Sequence, residues 1–201
     1  MSAKDDGIGE APDLRRREML AQASAAAGGL ALAGASAPFL ASLAPSERAK
    51  ASGAPVEADI SGLAPGELHT VEWRGKPVWV LRRTKEMLAS LDSDRGFLSD
   101  PDSQVLSQQP EYARNEWRSQ RPELLVSVAL CTHLGCIPTY MPEPGSVERN
   151  WPGGFYCPCH GSKFDLAGRV FKGSPAPTNL VIPPYSYLTE SRVEVGVDGA
   201  I

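Results

Sequence analysis

The chain has 201 residues and a formal net charge of −4, enough for one ordinary domain with appendages and a substantial core. No basic stripe runs through it, which argues against nucleic acid as a partner. Its 19 glycines and 18 prolines favour many short strands joined by turns, and its four cysteines suit two metal ligands plus one covalent pair rather than a disulfide scaffold.

In chain order, residues 4–13 are polar and expected to be disordered. Arg15-Arg16-Arg17 follow, and then residues 19–46 contain no charged side chain. That run exceeds the roughly 20 residues needed to cross a bilayer. The arginines assign its N-terminal side to the cytoplasm by the positive-inside rule. Arg16-Arg17-Glu18-Met19-Leu20 also resembles a twin-arginine export signal, a route that carries proteins already folded. The flanking arginines and the length argue against a buried Ala-rich core helix. A cleaved signal is the competing reading, with small-residue sites at Ala31-Leu32-Ala33 and Ala35-Ser36-Ala37, but Pro38 is a poor residue just after a cut. The preferred reading is a cytoplasmic tail over residues 1–18, a retained transmembrane anchor over 19–43 and a small, polar hinge over 44–55, bounded by Pro45 and Pro55.

From residue 56 onward the pattern is β. Residues 56–60 alternate, and residues 68–73 and 78–83 are rich in β-branched and aromatic side chains, separated by the turn Arg74-Gly75-Lys76-Pro77. Thr84 is the expected N-cap of a short helix through Leu91. Residues 92–120 read as a long polar connection with one helical turn near 111–118. Further strands are expected at 124–130, 155–156, 163–165, 169–171, 180–182, 185–189 and 192–197. The expected domain, residues 56–201, is all-β, with stacked antiparallel sheets.

Two stretches carry the chemistry. Cys131-Thr132-His133-Leu134-Gly135-Cys136 and Cys157-Pro158-Cys159-His160-Gly161-Ser162 hold every cysteine of the chain and two of its three histidines. Cys-x-His and Cys-x-x-His supply two thiolates and two imidazoles. Zinc would take all four in one tetrahedral structural site, whereas a [2Fe-2S] cluster would take two Cys on one iron and two His on the other. Cys136 and Cys159, one in each loop, could bridge the loops. Zinc already ties its loops together and would gain little, while a cluster presented at a protein's tip needs them rigid. Gly135 and Gly161 allow close backbone approach to an inorganic core, from which N–H groups can reach the sulfurs.

These two stretches resemble the signature of the Rieske iron–sulfur proteins. The Pro loop at residues 173–177, the anchor and the hinge resemble the Rieske subunit of bacterial cytochrome bc complexes. The resemblance runs from the anchor to Val197 and is weakest over 92–120. It implies a Rieske-type antiparallel β-sandwich with an inserted cluster-binding subdomain, its loops within residues 124–177, preceded by one transmembrane helix. It implies that Cys131 and Cys157 bind one iron of a single [2Fe-2S] cluster, that His133 and His160 bind the other, and that Cys136 and Cys159 form a disulfide. Ser162 would donate to a bridging sulfide, and Leu134 and residues 173–177 would shield the site. His160 would meet quinol at a site shared with cytochrome b, before delivery to a c-type cytochrome in a dimeric complex. That complex would lie in the bacterial inner membrane, with this domain on the periplasmic side.

One position departs from the family pattern. Many members with high potentials carry Tyr two residues after the Ser, and this chain has Phe164, which predicts a lower midpoint potential. Competing assignments are another Rieske carrier, such as the small subunit of an exported oxidase like arsenite oxidase, and a zinc-binding structural module. His69 reads as a surface residue. Trp73, Trp79, Trp117 and Trp151 read as packing, and Asp92, Asp94, Asp100 and Asp102 as a solvated loop rather than a calcium site.

Overall fold

The computed structural model describes residues 13–44, 46 and 53–197, which fall into two units divided after Arg48. Residues 1–12 of the expected tail over 1–18, and most of the expected hinge over 44–55, lie outside the described residues. In the first unit a single helix, α1, runs over Leu14–Ser42. It starts earlier than the uncharged run and takes in Arg15-Arg16-Arg17, because Asp13 caps it, its Oδ1 accepting from the Arg16 N–H at 3.2 Å. Its 29 residues at about 1.5 Å each exceed a hydrocarbon core of about 30 Å. None of its residues is buried, and it is long and apolar enough to cross a membrane.

The second unit is built from three three-stranded antiparallel sheets. In the first, β1 (Val56–Asp59) and β8 (Tyr185–Thr189) flank β9 (Arg192–Val195), so the two ends of the unit meet in one sheet. The second takes β2 (Leu68–Trp73), β3 (Lys76–Arg82) and β4 (Leu124–Val128) in that order. The β2–β3 turn is tighter than its sequence suggests. Trp73 pairs with Lys76, leaving Arg74 and Gly75 as a two-residue connection with φ of 54° and 69°, the signs a right-twisted hairpin needs. The third sheet is β5 (Thr139–Met141), β6 (Gly154–Cys157) and β7 (Ser162–Phe164). This is the sheet that carries the second motif half.

Between β3 and β4, α2 spans Lys85–Ser93. Thr84 caps it as its hydroxyl predicts, Oγ1 accepting from the Met87 N–H at 3.2 Å. The core is continuous across the sheets. Val78, Val80, Leu81, Leu125, Val126, Phe155, Phe164, Tyr185 and Val193 are all 0% exposed. Trp79 of β3 stacks on Phe155 of β6 with ring centroids 4.7 Å apart, which locks the second sheet to the third. Gly154 allows β6 to lie against β7, since a Cβ there would come within 2.1 Å of the Phe164 carbonyl oxygen.

Three expectations need correction. Residues 169–171 and 180–182 are not strands. Val170 and Phe171 make isolated bridges to Phe164 and Leu98, and Val181 accepts one bond from the Val128 N–H at 2.8 Å, while Pro183 and Pro184 offer no N–H with which to extend a ladder. Residues 92–120 hold three short 3₁₀ turns rather than one helical turn near 111–118: Arg95–Phe97, Leu106–Gln108 and Glu111–Ala113. This segment is also not a solvated connection. Asp94, Ser103, Gln109, Ala113, Arg118 and Ser119 are buried in it. Of its carboxylates, Asp102 pairs with Arg95 and Asp100 caps the Gln104 N–H at 2.9 Å.

Candidate metal centre

The two motif halves become two loops of the same build. The first leaves β4 and the second joins β6 to β7. In each, the leading cysteine carbonyl accepts from a glycine N–H four residues later: Gly135 to Cys131 at 2.9 Å and Gly161 to Cys157 at 2.9 Å. Both glycines sit at positive φ, 81° and 79°, a conformation a side chain resists. The second loop is pinned at its base, because Cys157 pairs with Ser162 across the β6–β7 hairpin.

Cys136 and Cys159 are joined in a disulfide, with Cα atoms 6.7 Å apart, and it ties loop to loop. Cys131 and Cys157 are the free thiols, 3% and 2% exposed. They are neighbours. Burial pushes the Cys157 thiol above its usual range, and the nearby backbone N–H groups of Cys159 and His160 pull the other way. Backbone N–H groups are the donors a thiolate ligand needs. His133 and His160 face each other edge to face with ring centroids 4.8 Å apart. They differ in exposure: His160 is exposed and His133 half-buried. The Nδ1 of His133 is buried with no hydrogen-bond partner, a state that costs free energy unless a ligand occupies that nitrogen.

A third loop, residues 173–177, closes the arrangement. The Ala176 N–H donates to the Ser162 Oγ at 3.1 Å, which uses that oxygen as an acceptor and leaves its proton free to donate. Ser174 Oγ accepts from the Lys163 N–H at 3.1 Å. Thr132 Oγ1 donates to the Thr178 carbonyl at 2.6 Å. Each pair of loops is therefore tied: the first and second by the disulfide, the second and third through Ser162 and Ser174, and the first and third by Thr132. Sequence reasoning did not single out Thr132, and its position between Cys131 and His133 was the only signal. The loop tips present apolar surface, with Leu134 72% and Ile137 56% exposed.

Two adjacent buried thiols, two facing imidazoles and an unpartnered His133 nitrogen are a donor set that fits a [2Fe-2S] cluster with two sulfur and two nitrogen protein ligands. His69 is exposed on β2, in a different sheet from the second motif half. Trp73, Trp79 and Trp151 are buried and Trp117 half-buried, as packing residues should be.

Comparisons with known proteins point to the same cofactor. The model of the Rieske [2Fe-2S] domain matches residues 108–186. The chain is 56% identical to the ubiquinol-cytochrome c reductase iron-sulfur subunit of Allochromatium vinosum, over 91% of this chain and 89% of that one. It is 41% identical to the protein of the same description from Blastochloris viridis, over 90% and 92% of the two chains. For that of Bradyrhizobium diazoefficiens the identity is 38%, over 90% and 94%.

Proposed function

Because the chain belongs to the family of ubiquinol-cytochrome c reductase iron-sulfur subunits, we propose that it draws an electron and a proton from quinol at a site shared with cytochrome b and delivers the electron to a c-type cytochrome. At the coarser level it is an electron-transfer subunit of that oxidoreductase complex and carries one [2Fe-2S] cluster. Cys131 and Cys157 would hold one iron and His133 and His160 the other. When bound, the cluster supplies one-electron chemistry, with two neutral imidazoles in place of thiolates making it less negative and readier to accept an electron.

The observation that carries the reading is the exposed His160 beside buried thiols, within the apolar rim of Leu134 and Ile137. One ring nitrogen of His160 would hold iron, which would leave the other nitrogen of this exposed ring available to substrate. That outer nitrogen accepts a hydrogen bond from a quinol hydroxyl and takes its proton. A metal ion on the ring makes this nitrogen's N–H more acidic when oxidised and less so when reduced, so proton and electron uptake are linked at one residue. The apolar rim excludes water and seats against an apolar partner surface. His133 is half-buried and so less open to substrate than His160. Because quinol is held between two chains, this subunit alone does not turn it over.

Helix α1 supports membrane anchoring. The arginines at its N-terminal end favour a cytoplasmic N-terminus, which puts the metal centre on the periplasmic side of a bacterial inner membrane, in a dimeric complex. Residues 44–55 then serve as the hinge on which the domain travels between its donor and its acceptor.

Purification from native membranes without stripping partners tests this assignment. Copurification of b-type and c-type haem, with quinol–cytochrome c reductase activity, is the expected result. A cluster protein recovered alone, or with a molybdenum enzyme, would overturn it.

A further inference from the structure

Around the segment that follows the second loop in the chain lies a group of buried charges whose balance is uneven. Among the described residues the buried charged side chains are Arg83, Arg118 and Arg169 against Asp94 and Asp165. Arg169 is neutralised: its Nε donates to Asp165 Oδ2 at 2.6 Å. Arg83 and Arg118 have only neutral acceptors. Arg83 donates to the Trp117 carbonyl at 2.8 Å, the Leu166 carbonyl at 3.3 Å and Ser119 Oγ at 2.7 Å. Arg118 donates to the Ala167 and Gly168 carbonyls at 3.3 and 3.2 Å and to Gln109 Oε1 at 3.0 Å. The Nε of each is buried without a partner. Burial lowers both guanidinium groups only to about 10, so both stay charged at neutral pH.

Neither makes an ion pair of its own: each shares the attraction of Asp165, which Arg169 already pairs, and Arg118 also feels Asp100, and a buried cation without a paired counter-ion is costly. Neutral side chains of similar size could tie the same carbonyls at less expense, so the charge itself calls for an explanation. Three of the carbonyls they bind, those of Leu166, Ala167 and Gly168, belong to the segment that follows β7 in the chain and hence Ser162 and the second loop. The interior around this segment is closed to water: Phe164, Leu166, Ala167, Val170 and Leu180, and the paired Asp165 and Arg169, are at most 2% exposed. Fixed charge acts over longer range in such a medium than in water, because neither water nor salt screens it.

We propose that Arg83 and Arg118 form a fixed positive field that favours the metal centre's reduced, more negative state and so raises its midpoint potential. They are positioning residues: neither touches iron ligands or quinol. The inference rests on the proposed cluster and its ligands. In this chain the field partly offsets the donor that Phe164 does not supply.

The test is a redox titration of the intact membrane complex, following the reduced-state electron paramagnetic resonance signal, on the parent and on Arg118→Gln, Arg118→Lys, Asp165→Asn and Arg192→Gln. Arg192 is a surface control on β9, with its side chain 57% exposed. The field predicts a lower midpoint in Arg118→Gln, a parental one in Arg118→Lys, a higher one in Asp165→Asn and no change in Arg192→Gln. Opposite signs for the arginine and aspartate variants are what a purely structural role would not produce, since loosening the same turn would move both the same way. Equal falls in Arg118→Gln and Arg118→Lys, or a fall in Asp165→Asn, would overturn the inference. Should Arg118→Gln fail to fold, the Lys and Asn variants decide it. Absence of the signal in the parent would instead refute the iron–sulfur assignment.

Discussion

Phe164→Tyr is the substitution with the sharpest expected outcome. Phe164 is 0% exposed and lies on β7 two residues after Ser162, so both side chains point to the same face of the strand. Ser162 is buried beside the metal loops, and a hydroxyl added to the neighbouring ring is carried toward the ligand sulfurs. A donor to sulfur counts for more when the centre is reduced and carries one more negative charge. A differential of about 1 kcal/mol, modest for bonds to charged acceptors, corresponds to an upward shift of about 40 mV for one electron. The assay is a midpoint titration together with a thermal melt. If the hydroxyl finds no sulfur, it is a buried orphan costing about 1–3 kcal/mol, and stability falls. An unchanged or lowered midpoint would refute the reasoning.

Replacing both Cys136 and Cys159 by Ser opens a covalent loop with a sequence separation of 23, and loop entropy then predicts a loss of about 3 kcal/mol in denaturant unfolding; a loss well under 1 kcal/mol would show that Thr132 and Ser162 already hold the three loops. Asp94 gives a pH test. Desolvation raises its carboxyl to about 6, with Asp165 adding to the rise and Arg169 opposing it. The folded chain therefore holds that proton more tightly than the unfolded one. The associated stability is full below the ordinary carboxyl range near pH 4 and is lost as pH rises through about 6. Asp94→Asn should melt progressively higher than the parent as pH increases from about 4 to 7.5; a constant difference across that range would show that the carboxyl does not titrate in the window.

Much of this architecture is written in local pattern. β2 and β8 have the boundaries their β-branched and aromatic runs predict, and Thr84 caps α2 as its hydroxyl suggests. The motif cysteines were legible because all four sit in two short stretches, and the disulfide partners proved to be the pair that the family resemblance implied. What sequence did not reveal depends on distant partners. Asp94 looks like part of a solvated acidic run, yet it is 6% exposed because the segment after α2 folds inward. Arg118 looks like a surface arginine in a polar connection, and only the approach of residues 167–168 buries it. Residues 180–182 have strand composition, but a strand also needs a neighbour along its length, and Val181 has one such bond from β4. β5 is three residues long and falls beyond the first motif in a run without alternation, so period alone could not find it.

The ligand set is the claim on which quinol chemistry, potential tuning and loop rigidity all depend. Electron paramagnetic resonance of the reduced protein, grown with ¹⁵N-histidine, tests it most directly. The chain has three histidines, and the account predicts resolved coupling to nitrogens from two of them, with one coupling lost or altered in a His160 variant and none affected in His69→Gln. A colourless protein carrying zinc, or a reduced signal with no histidine nitrogen coupling, would contradict it.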